Sequence, residues 1–267
     1  MNFSYFKAKY YDSDLSVWLS VDPMADARSW VSPYNYCQNS PMNRIDPTGA
    51  LDVEDGYTVD KNGNIQWVDN TGGDDFDVLY NKDKYDAGYR DYDEKGKGNK
   101  GLKVENTSIM EQLEQGTKVV RKDSEGYVTR TGQQRIAITG EESGATMASV
   151  FLFLANNSEA EWSFNYANVD GIKKYGIGTF GWDDQCPIAF TEDQIITGIH
   201  SHPRPGGSYQ AELDSMFGDR ANSKSRNYIQ YVYMQESSRL FNNKAGKSSY
   251  IRHINGDPSR FINMGLK

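Results

Sequence analysis

The sequence has few of the residues that build disulfide scaffolds or metal ribbons. Its 267 residues include two cysteines, Cys37 and Cys186, without Cys-x-x-Cys spacing, and only three histidines. This excludes a disulfide framework and a cysteine-rich zinc ribbon, and it suits a protein made in a reducing cytosol. No apolar run approaches the roughly 18 residues of a transmembrane helix. The start, Met1–Lys7, lacks the apolar stretch of a general secretory signal.

Basic residues are also outnumbered, with 29 Lys and Arg against 37 Asp and Glu. The formal net charge is −8 and the isoelectric point is about 5.0. An acidic balance argues against a nucleic-acid groove as the main surface, because phosphate binding needs a basic patch. We therefore expect no nucleic-acid partner and no membrane span.

The first part of the chain, residues 1–52, is rich in Tyr, Trp, Pro and Asn. Its turn-forming pairs end in Asp46-Pro47-Thr48-Gly49, and aromatics between such turns indicate short strands. In order and spacing these residues resemble the C-terminal end of the core of Rhs/YD-repeat proteins, in which this block joins a conserved shell to a variable toxin domain. Some members of that family cut themselves here; in this sequence Ala50 stands where their cleavage signature has Leu. The resemblance implies a small β-rich Rhs remnant.

Residues 53–100 are polar and acidic. Tyr57–Val59 and Ile65–Val68 flank an Asn-Gly turn, which predicts a β-hairpin. The stretch from Asp86 to Lys100 has few apolar residues other than tyrosines and is predicted to be a flexible linker.

Residues 101–267 have the composition of a complete domain. Thr107–Gln115 has helical spacing, and Ala211–Ala221 is helical in composition. Apolar runs predict strands, which lie near residues 150–154, 161–169, 188–190, 195–202, 228–234 and 250–254. This order predicts an α+β domain with a tendency toward three α/β layers, in which helices flank a mixed β-sheet.

The motif His200-Ser201-His202-Pro203 carries the chemistry. It closes a predicted strand, in which residues i and i+2 point to the same face, so both imidazoles can reach one ion. Pro203 ends the strand because it lacks a backbone donor. Two histidines and a carboxylate, with one position open, form a catalytic zinc arrangement.

The spacing of His200, His202, Pro203 and Asp214 resembles the JAMM (MPN+) pattern His-x-His-Pro-x7-Ser-x2-Asp. The resemblance implies zinc, and the spacing favours Asp214 as third ligand, with Asp219 as the rival. Ala211 stands where the family has the serine that stabilises the oxyanion. Ser208 or Ser215 is a candidate substitute.

The JAMM resemblance also implies a glutamate that activates water, on a strand well before the histidines. The candidates are Glu159 and Glu161. With a period of two, Trp162 and Phe164 face the core and Glu161 the opposite side. Glu161 lies between Ala160 and Trp162, a drier setting that raises a carboxyl pKa toward that of a general base. Glu161 is therefore the predicted base. The surrounding sequence resembles JAMM-like toxin domains of Bacteroidetes Rhs proteins.

Together the resemblances imply a toxin whose C-terminal domain is a zinc peptidase or isopeptidase acting on a protein substrate. Glu161 would take a proton from water and pass it to the leaving amine. They further imply a cognate immunity protein, an Rhs shell or components of a secretion machine, and antibacterial use. Such a toxin is cytoplasmic in its producer and enters target cells through a contact-dependent system such as type VI secretion.

Other interpretations stay open. Loss of the serine at Ala211 fits a non-catalytic MPN-like interaction module, and His and Asp also hold ions in metal-dependent nucleases, although the net charge disfavours this class. Cys186 is either a buried small residue or a nucleophile paired with His200. His253 is predicted to be a surface histidine and not a ligand.

Overall fold

The computed structural model describes residues 3–6, 9–15, 17–21, 32, 34, 56–69, 76–203, 208–222, 226, 228–244 and 246–262. These residues form three β-sheets and six α-helices. Much of the predicted Rhs remnant, including the Asp46–Leu51 junction, lies outside the described residues.

Two smaller sheets come first in the chain. The N-terminal sheet is an antiparallel set of three strands, β1 (Phe3–Phe6), β2 (Lys9–Asp12) and β3 (Val17–Trp18). The second sheet has the order β5-β4-β6-β8-β7. Its strands are β4 (Gly56–Val59), β5 (Ile65–Asp69), β6 (Asp77–Asn81), β7 (Tyr92–Asp93) and β8 (Gly101–Val104). The predicted hairpin is confirmed, because β4 and β5 pair antiparallel around Gly63 at φ +75°.

The main sheet has eight strands in the order β16-β15-β14-β13-β11-β12-β10-β9, and only β13 and β14 run parallel. Its strands are β9 (Thr117–Lys122), β10 (Val128–Gly140), β11 (Ser163–Val169), β12 (Ile172–Thr179), β13 (Ile195–His202), β14 (Ile229–Met234), β15 (Arg239–Lys244) and β16 (Lys247–His253). The helices are α1 (Lys82–Asp86), α2 (Ser108–Glu114), α3 (Gly144–Asn157), α4 (Tyr209–Ser215), α5 (Phe217–Asn222) and α6 (Ser259–Ile262). The mixed sheet with flanking helices confirms the α+β prediction.

Helix α3 is the central element of the core. The run Val150–Leu154 was expected to be a strand, and that prediction is wrong, because it lies within this 14-residue helix. A short apolar run fits a buried strand and a buried helix equally well. Here α3 is apolar on most sides because it packs between the main sheet and the second sheet, contacting β8 as well as β11 and β12.

The stretch Asp86–Lys100, which its composition predicts to be a flexible linker, has regular structure and tertiary contacts. It contains β7, and Asp93 Oδ1 accepts hydrogen bonds from the backbone N–H groups of Lys95 and Gly96. Gly96 lies so close to Phe153 that an added Cβ would be 2.5 Å from that ring. The segment therefore packs against α3. The division of the chain at residues 52 and 100 remains a prediction.

The two faces of the main sheet differ. The face toward α3 is aromatic and aliphatic, with Phe164, Tyr166, Ile199 and Tyr231 in one core cluster. The opposite face, which we call the open face, carries the alternate residues: Ser163, Asn165, Gly198, His200 and Gln230. Helices α4 and α5 cover one end of the open face, and a cleft remains beside them.

Among the described residues, no helix combines the length and apolar character needed to cross a membrane.

Candidate metal centre

Both motif histidines lie on the open face at the end of β13. This strand pairs with β11 on one side and β14 on the other, so its position is held by two ladders of hydrogen bonds. The rings of His200 and His202 have centroids 5.1 Å apart. The side chains of His200 and His202 are 10% and 15% exposed. The expectation that the two imidazoles share one face is confirmed.

Asp219, on α5, is the aspartate that the structure brings to the histidines. Its Oδ2 lies 3.2 Å from His200 Nε2 and 3.0 Å from His202 Nε2. Asp214, which the spacing favoured, is exposed and accepts a hydrogen bond of 2.8 Å from Gln210. The preference for Asp214 is therefore corrected in favour of Asp219.

The packing of α4 explains why Asp214 turns away. Glu212 is completely buried and accepts a 2.8 Å hydrogen bond from Arg239 on β15. Leu213 and Met216 pack against the apolar end of the open face. With these residues turned inward, Asp214 points to solvent. The helix then ends after Ser215 and a new one, α5, carries Asp219.

Glu161 lies two residues before β11 and completes the cluster. Its Oε1 is 3.8 Å from His200 Nε2, and atoms of Glu161, His200 and His202 all lie within 4.8 Å of one another. The backbone fixes the residue: its N–H donates to the Trp182 carbonyl and its own carbonyl accepts from Thr179 Oγ1. Trp162 is completely buried on the α3 side, as its alternation with Glu161 predicts.

Glu159, the rival base, lies elsewhere. Its backbone N–H donates to the Lys61 carbonyl, and it lines a different cleft together with Asp60 and Lys61. The structure therefore brings Glu161, and not Glu159, to the histidines.

The electrostatics of the cluster follow from burial and mutual charge. Burial raises the pKa of Glu161, and the two imidazoles only partly oppose that shift. Burial would also raise the pKa of Asp219, but His200 and His202 hold it far below its usual range. Burial acts to lower the pKa of His200, and the Asp219 carboxylate more than offsets it, so the net shift is upward. His200 and Asp219 therefore each favour the charged form of the other.

The donor set fits a zinc ion. His200 Nε2 is buried and, among the described residues, has no hydrogen bond of good geometry, although Asp219 Oδ2 is at hydrogen-bond distance. Two tetrahedral ligands at Zn–N or Zn–O distances of 2.0–2.1 Å lie about 3.3 Å apart. The observed 3.0 and 3.2 Å are close to that separation. A small shift would thus let one ion bridge the three side chains.

The outer contacts of His202 favour metal binding. Its Nδ1 is 3.1 Å from Ser215 Oγ, which donates its own proton to the Glu212 carbonyl at 2.8 Å. Because that hydroxyl proton is committed, we assign the His202 proton to Nδ1, donating to Ser215. The lone pair of Nε2 then faces the ion, as in many histidine ligands held by a second hydrogen bond.

Ser215 does not fill the role of the missing oxyanion serine. Its hydroxyl is used by His202 and Glu212, so it orients a candidate ligand. Ser208 caps α4 by accepting from the Ala211 N–H. Counting three residues back from Asp219 leads to Met216, which is completely buried. Either register therefore lacks a hydroxyl at the position that the JAMM pattern gives to serine.

Cys186 contacts the cluster without being its nucleophile. Its Sγ donates to Glu161 Oε1 at 3.7 Å. Burial, followed by the charge of Glu161, raises the pKa of the thiol well above its ordinary value. A buried thiol with a raised pKa is a poor nucleophile. His253, on the edge strand β16, has Nδ1 at 3.2 Å from the Ser237 carbonyl and takes no part in the cluster.

A cleft of about 310 Å³ opens from the cluster along the open face. Besides Glu161, His200 and Asp219, it is lined by Asn165, Cys186, Gly198, Arg226, Tyr228 and Gln230, among others. The sequence reasoning missed the polar residues of this floor. Asn165 and Gln230 lie in strands whose alternation was visible, but nothing local indicated that the strands were neighbours.

Comparison with known proteins agrees with this geometry. A search of curated proteins and of solved structures found no significant match. Residues 139–227 match the model of the family described as JAB-like toxin 1. That segment includes Glu161, both histidines and Asp219, and the mixed α+β architecture is that of a JAB/MPN-like fold. Over this segment the chain is similar to JAB-like toxins, and it carries a JAB/MPN-like domain.

Proposed function

We propose that this domain is a zinc-dependent hydrolase that cleaves a peptide or isopeptide amide. The observation that carries the proposal is the position of Asp219 Oδ2, which lies 3.2 and 3.0 Å from the Nε2 atoms of His200 and His202. Glu161 stands beside this trio, buried and 3.8 Å from one of the imidazoles. Three ligands and an adjacent free carboxylate are the components of metal-assisted hydrolysis.

His200, His202 and Asp219 would hold the ion. When bound, zinc supplies Lewis acidity that activates water near neutral pH and polarises a carbonyl. Ser215 keeps His202 in the tautomer whose Nε2 is free. The rigid pairing of β13 with its two neighbours fixes both imidazoles before any ion arrives.

Glu161 would be the general base. Burial raises the pKa of its carboxyl, which brings it closer to the working pH and makes it a better proton acceptor. From its position beside His200 it would take a proton from the attacking water. It would then return that proton to the leaving amine, which restores the Glu161 carboxylate for the next turnover.

The absence of a hydroxyl at Ala211 bears on rate. Removing one oxyanion donor from an acyl-transfer site typically costs about 10²–10³ in turnover. We propose that this enzyme is slow unless another group lining the cleft donates to the oxyanion. A slow enzyme is still an effective toxin if its substrate is scarce or essential.

The match of residues 139–227 to JAB-like toxin 1 supports a proposal about the biological role. We propose an antibacterial effector that is made in the cytoplasm of its producer as the tail of an Rhs protein. A contact-dependent system such as type VI secretion would deliver it. A cognate immunity protein would protect the producer by covering the cleft or the ion.

The test combines metal content with activity. Purified protein should contain about one zinc per chain, and His202→Ala should lose most of it. Glu161→Gln should lower amide hydrolysis by roughly 10²–10⁴, measured on a panel of fluorogenic peptides and lysine isopeptides, while zinc content and melting temperature stay near wild type.

Glu159→Gln is the matched control, because it makes the same change two residues away in a separate cleft. Its activity should stay close to wild type. Full activity or toxicity of Glu161→Gln, or of a zinc-free preparation, would contradict the proposal.

A non-catalytic interaction module is the second candidate, and the observation favouring it is Ala211 at the serine position. Under that alternative, toxicity in a heterologous bacterial host would survive Glu161→Gln and His202→Ala alike. It would instead depend on residues that bind the partner.

A further inference from the structure

A row of polar residues crosses three strands of the open face next to the histidines. In the register of β11, β13 and β14, Asn165 is opposite Gly198 and Gly198 is opposite Gln230. The next row toward the motif contains Ser163 and His200. Two carboxamides thus flank a glycine, one residue pair away from the candidate metal centre.

The carboxamide of Gln230 is buried and unused. The residue is 2% exposed, and its Oε1 has no hydrogen-bond partner in the part of the chain that the structure describes. Asn165 is equally buried, and its Oδ1 accepts a 2.9 Å hydrogen bond from the Ala189 N–H. Its Nδ2 lies above Gly198, 3.4 Å from where a Cβ would be. Both residues line the cleft, so this acceptor and this donor lie in its floor.

The walls of the cleft are built around this floor. The segment before Ala189 lies directly on β12, because Gly176 and Gly178 leave room for Ala189 and Pro187. On the other side the Tyr228 ring would be 2.8 Å from a Cβ at Gly198. The Tyr228 hydroxyl accepts a hydrogen bond from Arg226, which also lines the cleft. The glycines, which lack a Cβ, thus allow both walls to approach the floor closely.

An unpaired buried amide is destabilising, and replacing it with an apolar group of the same shape is often neutral or favourable. The retained carboxamide is explained if a ligand supplies its partner. The cleft ends at Glu161, His200 and Asp219, so the ligand group would belong to a residue next to the scissile bond.

We propose that this cleft is a specificity subsite for an uncharged amide side chain, that of glutamine or asparagine. With the amides turned as they are in the structure, a ligand carboxamide offers an N–H to Gln230 Oε1 and an oxygen to Asn165 Nδ2. A carboxylate would place acceptor against acceptor at Gln230 Oε1. An ammonium group would meet the positive charge of Arg226, and an apolar side chain would leave Gln230 Oε1 and Asn165 Nδ2 without a ligand partner.

This proposal rests on the proposed function, because the subsite is defined relative to the hydrolysed bond, but its binding step can be measured without turnover. The protein is the zinc-loaded Glu161→Gln full chain. The probes are N-acetyl-glutamine methylamide and its leucine and glutamate analogues, titrated by NMR. We expect the glutamine probe to bind about tenfold or more tightly than either analogue, the difference of about one well-made hydrogen bond.

Gln230→Met is the decisive variant. It keeps length and removes the amide, so it should abolish the preference for glutamine, and its melting temperature should be unchanged or higher. Thr197→Val is the matched control, because this residue, also on the main sheet, carries a buried hydroxyl without a partner among the described residues. Thr197 neighbours Gly198 on β13 and so faces the α3 side, and its variant should retain the preference.

The outcomes separate the two proposals. Selective glutamine binding without hydrolysis of any amide would remove the proposed function and leave the subsite in place. Hydrolysis without a glutamine preference would do the reverse. Equal binding of all three probes, a preference that survives Gln230→Met, or a large loss of stability in that variant would overturn the subsite.

Discussion

The two faces of the eight-stranded main sheet are made by alternate residues of the same strands, yet one face packs into the core and the other carries the candidate site. Phe164 and Ile199 point into the core against α3, whereas Ser163, Asn165 and His200 point to the open face. One face supplies buried apolar area, the main source of folding free energy. The open face carries polar and ionisable groups whose burial is unfavourable, and the packing of the α3 face holds the strands that position them. Stability and chemistry can therefore be altered separately, residue by residue.

The largest effect on stability is expected on the α3 face. Phe151 is completely buried and its ring is 5.7 Å from that of Phe164 on β11. Phe151→Ala should lower the free energy of unfolding by about 3–5 kcal/mol, the usual cost of emptying such a site. Urea denaturation measures it. Ser149→Ala, on the same helix, should change stability by less than about 0.5 kcal/mol. Zinc content of the folded fraction should not change.

The largest effect on the open face should come from Asp219. Asp219→Asn removes one of three candidate ligands, so we expect zinc affinity to fall by more than about 100-fold, since loss of an outer partner alone costs roughly 10–100-fold. Competition with a chromogenic chelator measures this. Asp214→Asn, a change of the same charge on α4, should leave affinity intact. If Asp214→Asn were the damaging variant, the assignment of the third ligand would be reversed.

A smaller effect is expected one contact further out. Ser215→Ala removes the hydroxyl that lies 3.1 Å from His202 Nδ1. The imidazole would lose its orientation but keep its lone pair, so zinc affinity should fall by roughly 10–100-fold. Ser215→Thr, which retains the hydroxyl, should recover most of it. An unchanged affinity in Ser215→Ala would mean that the strand alone positions the ring.

The smallest effect concerns the metal-free protein. Burial raises the pKa of Glu161, so ionising it disfavours the folded state. The penalty appears as the pH rises from the carboxyl's unfolded pKa of about 4.3 through its raised folded value, and is constant above it. Glu161→Gln should therefore have a higher melting temperature than the wild type in EDTA at pH 8.

Ionisation of Asp219 has the opposite effect on the stability of the metal-free protein. Its lowered pKa stabilises the metal-free fold above pH 4, and that contribution is lost as the pH falls through its folded value. The raised pKa of His200 adds stability below the imidazole's unfolded value of about 6.5, which is lost as the pH rises through the folded value. The ion pair thus contributes most in mildly acidic solution. A wild-type melting temperature without dependence on pH between 4 and 8 would contradict the shift assigned to His200, and a melting temperature that stays constant below pH 4 would contradict that of Asp219.

The sequence predicted the candidate site where the information is local. The shared face of His200 and His202 follows from strand alternation, as does the inward position of Trp162 next to an outward Glu161. The choice between Asp214 and Asp219 was not local. It depends on the pairing of Glu212 with Arg239, 27 residues away in the chain, which sets the rotation of α4.

The fold shows the same limit. The hairpin around Gly63 and the strand Ile195–His202 could be predicted because turn residues and alternation mark them. The strand predicted at Val150–Leu154 is wrong because an apolar run does not reveal that the segment is a helix covered by a sheet on each side. The prediction of a flexible linker at Asp86–Lys100 is wrong because the composition of a linker is shared by a segment rich in tyrosine and glycine that packs against a helix.

The position of α3 between two sheets has a consequence for anyone who wishes to transplant this domain. Residues 139–227 include every group of the candidate metal centre, yet a graft cut to those limits would strip α3 of Leu102 and Val104, which share its core cluster. The apolar surface of α3 would then be exposed, and the chimera would be expected to aggregate. A chimera should therefore join its new carrier upstream of Gly56, where the second sheet begins.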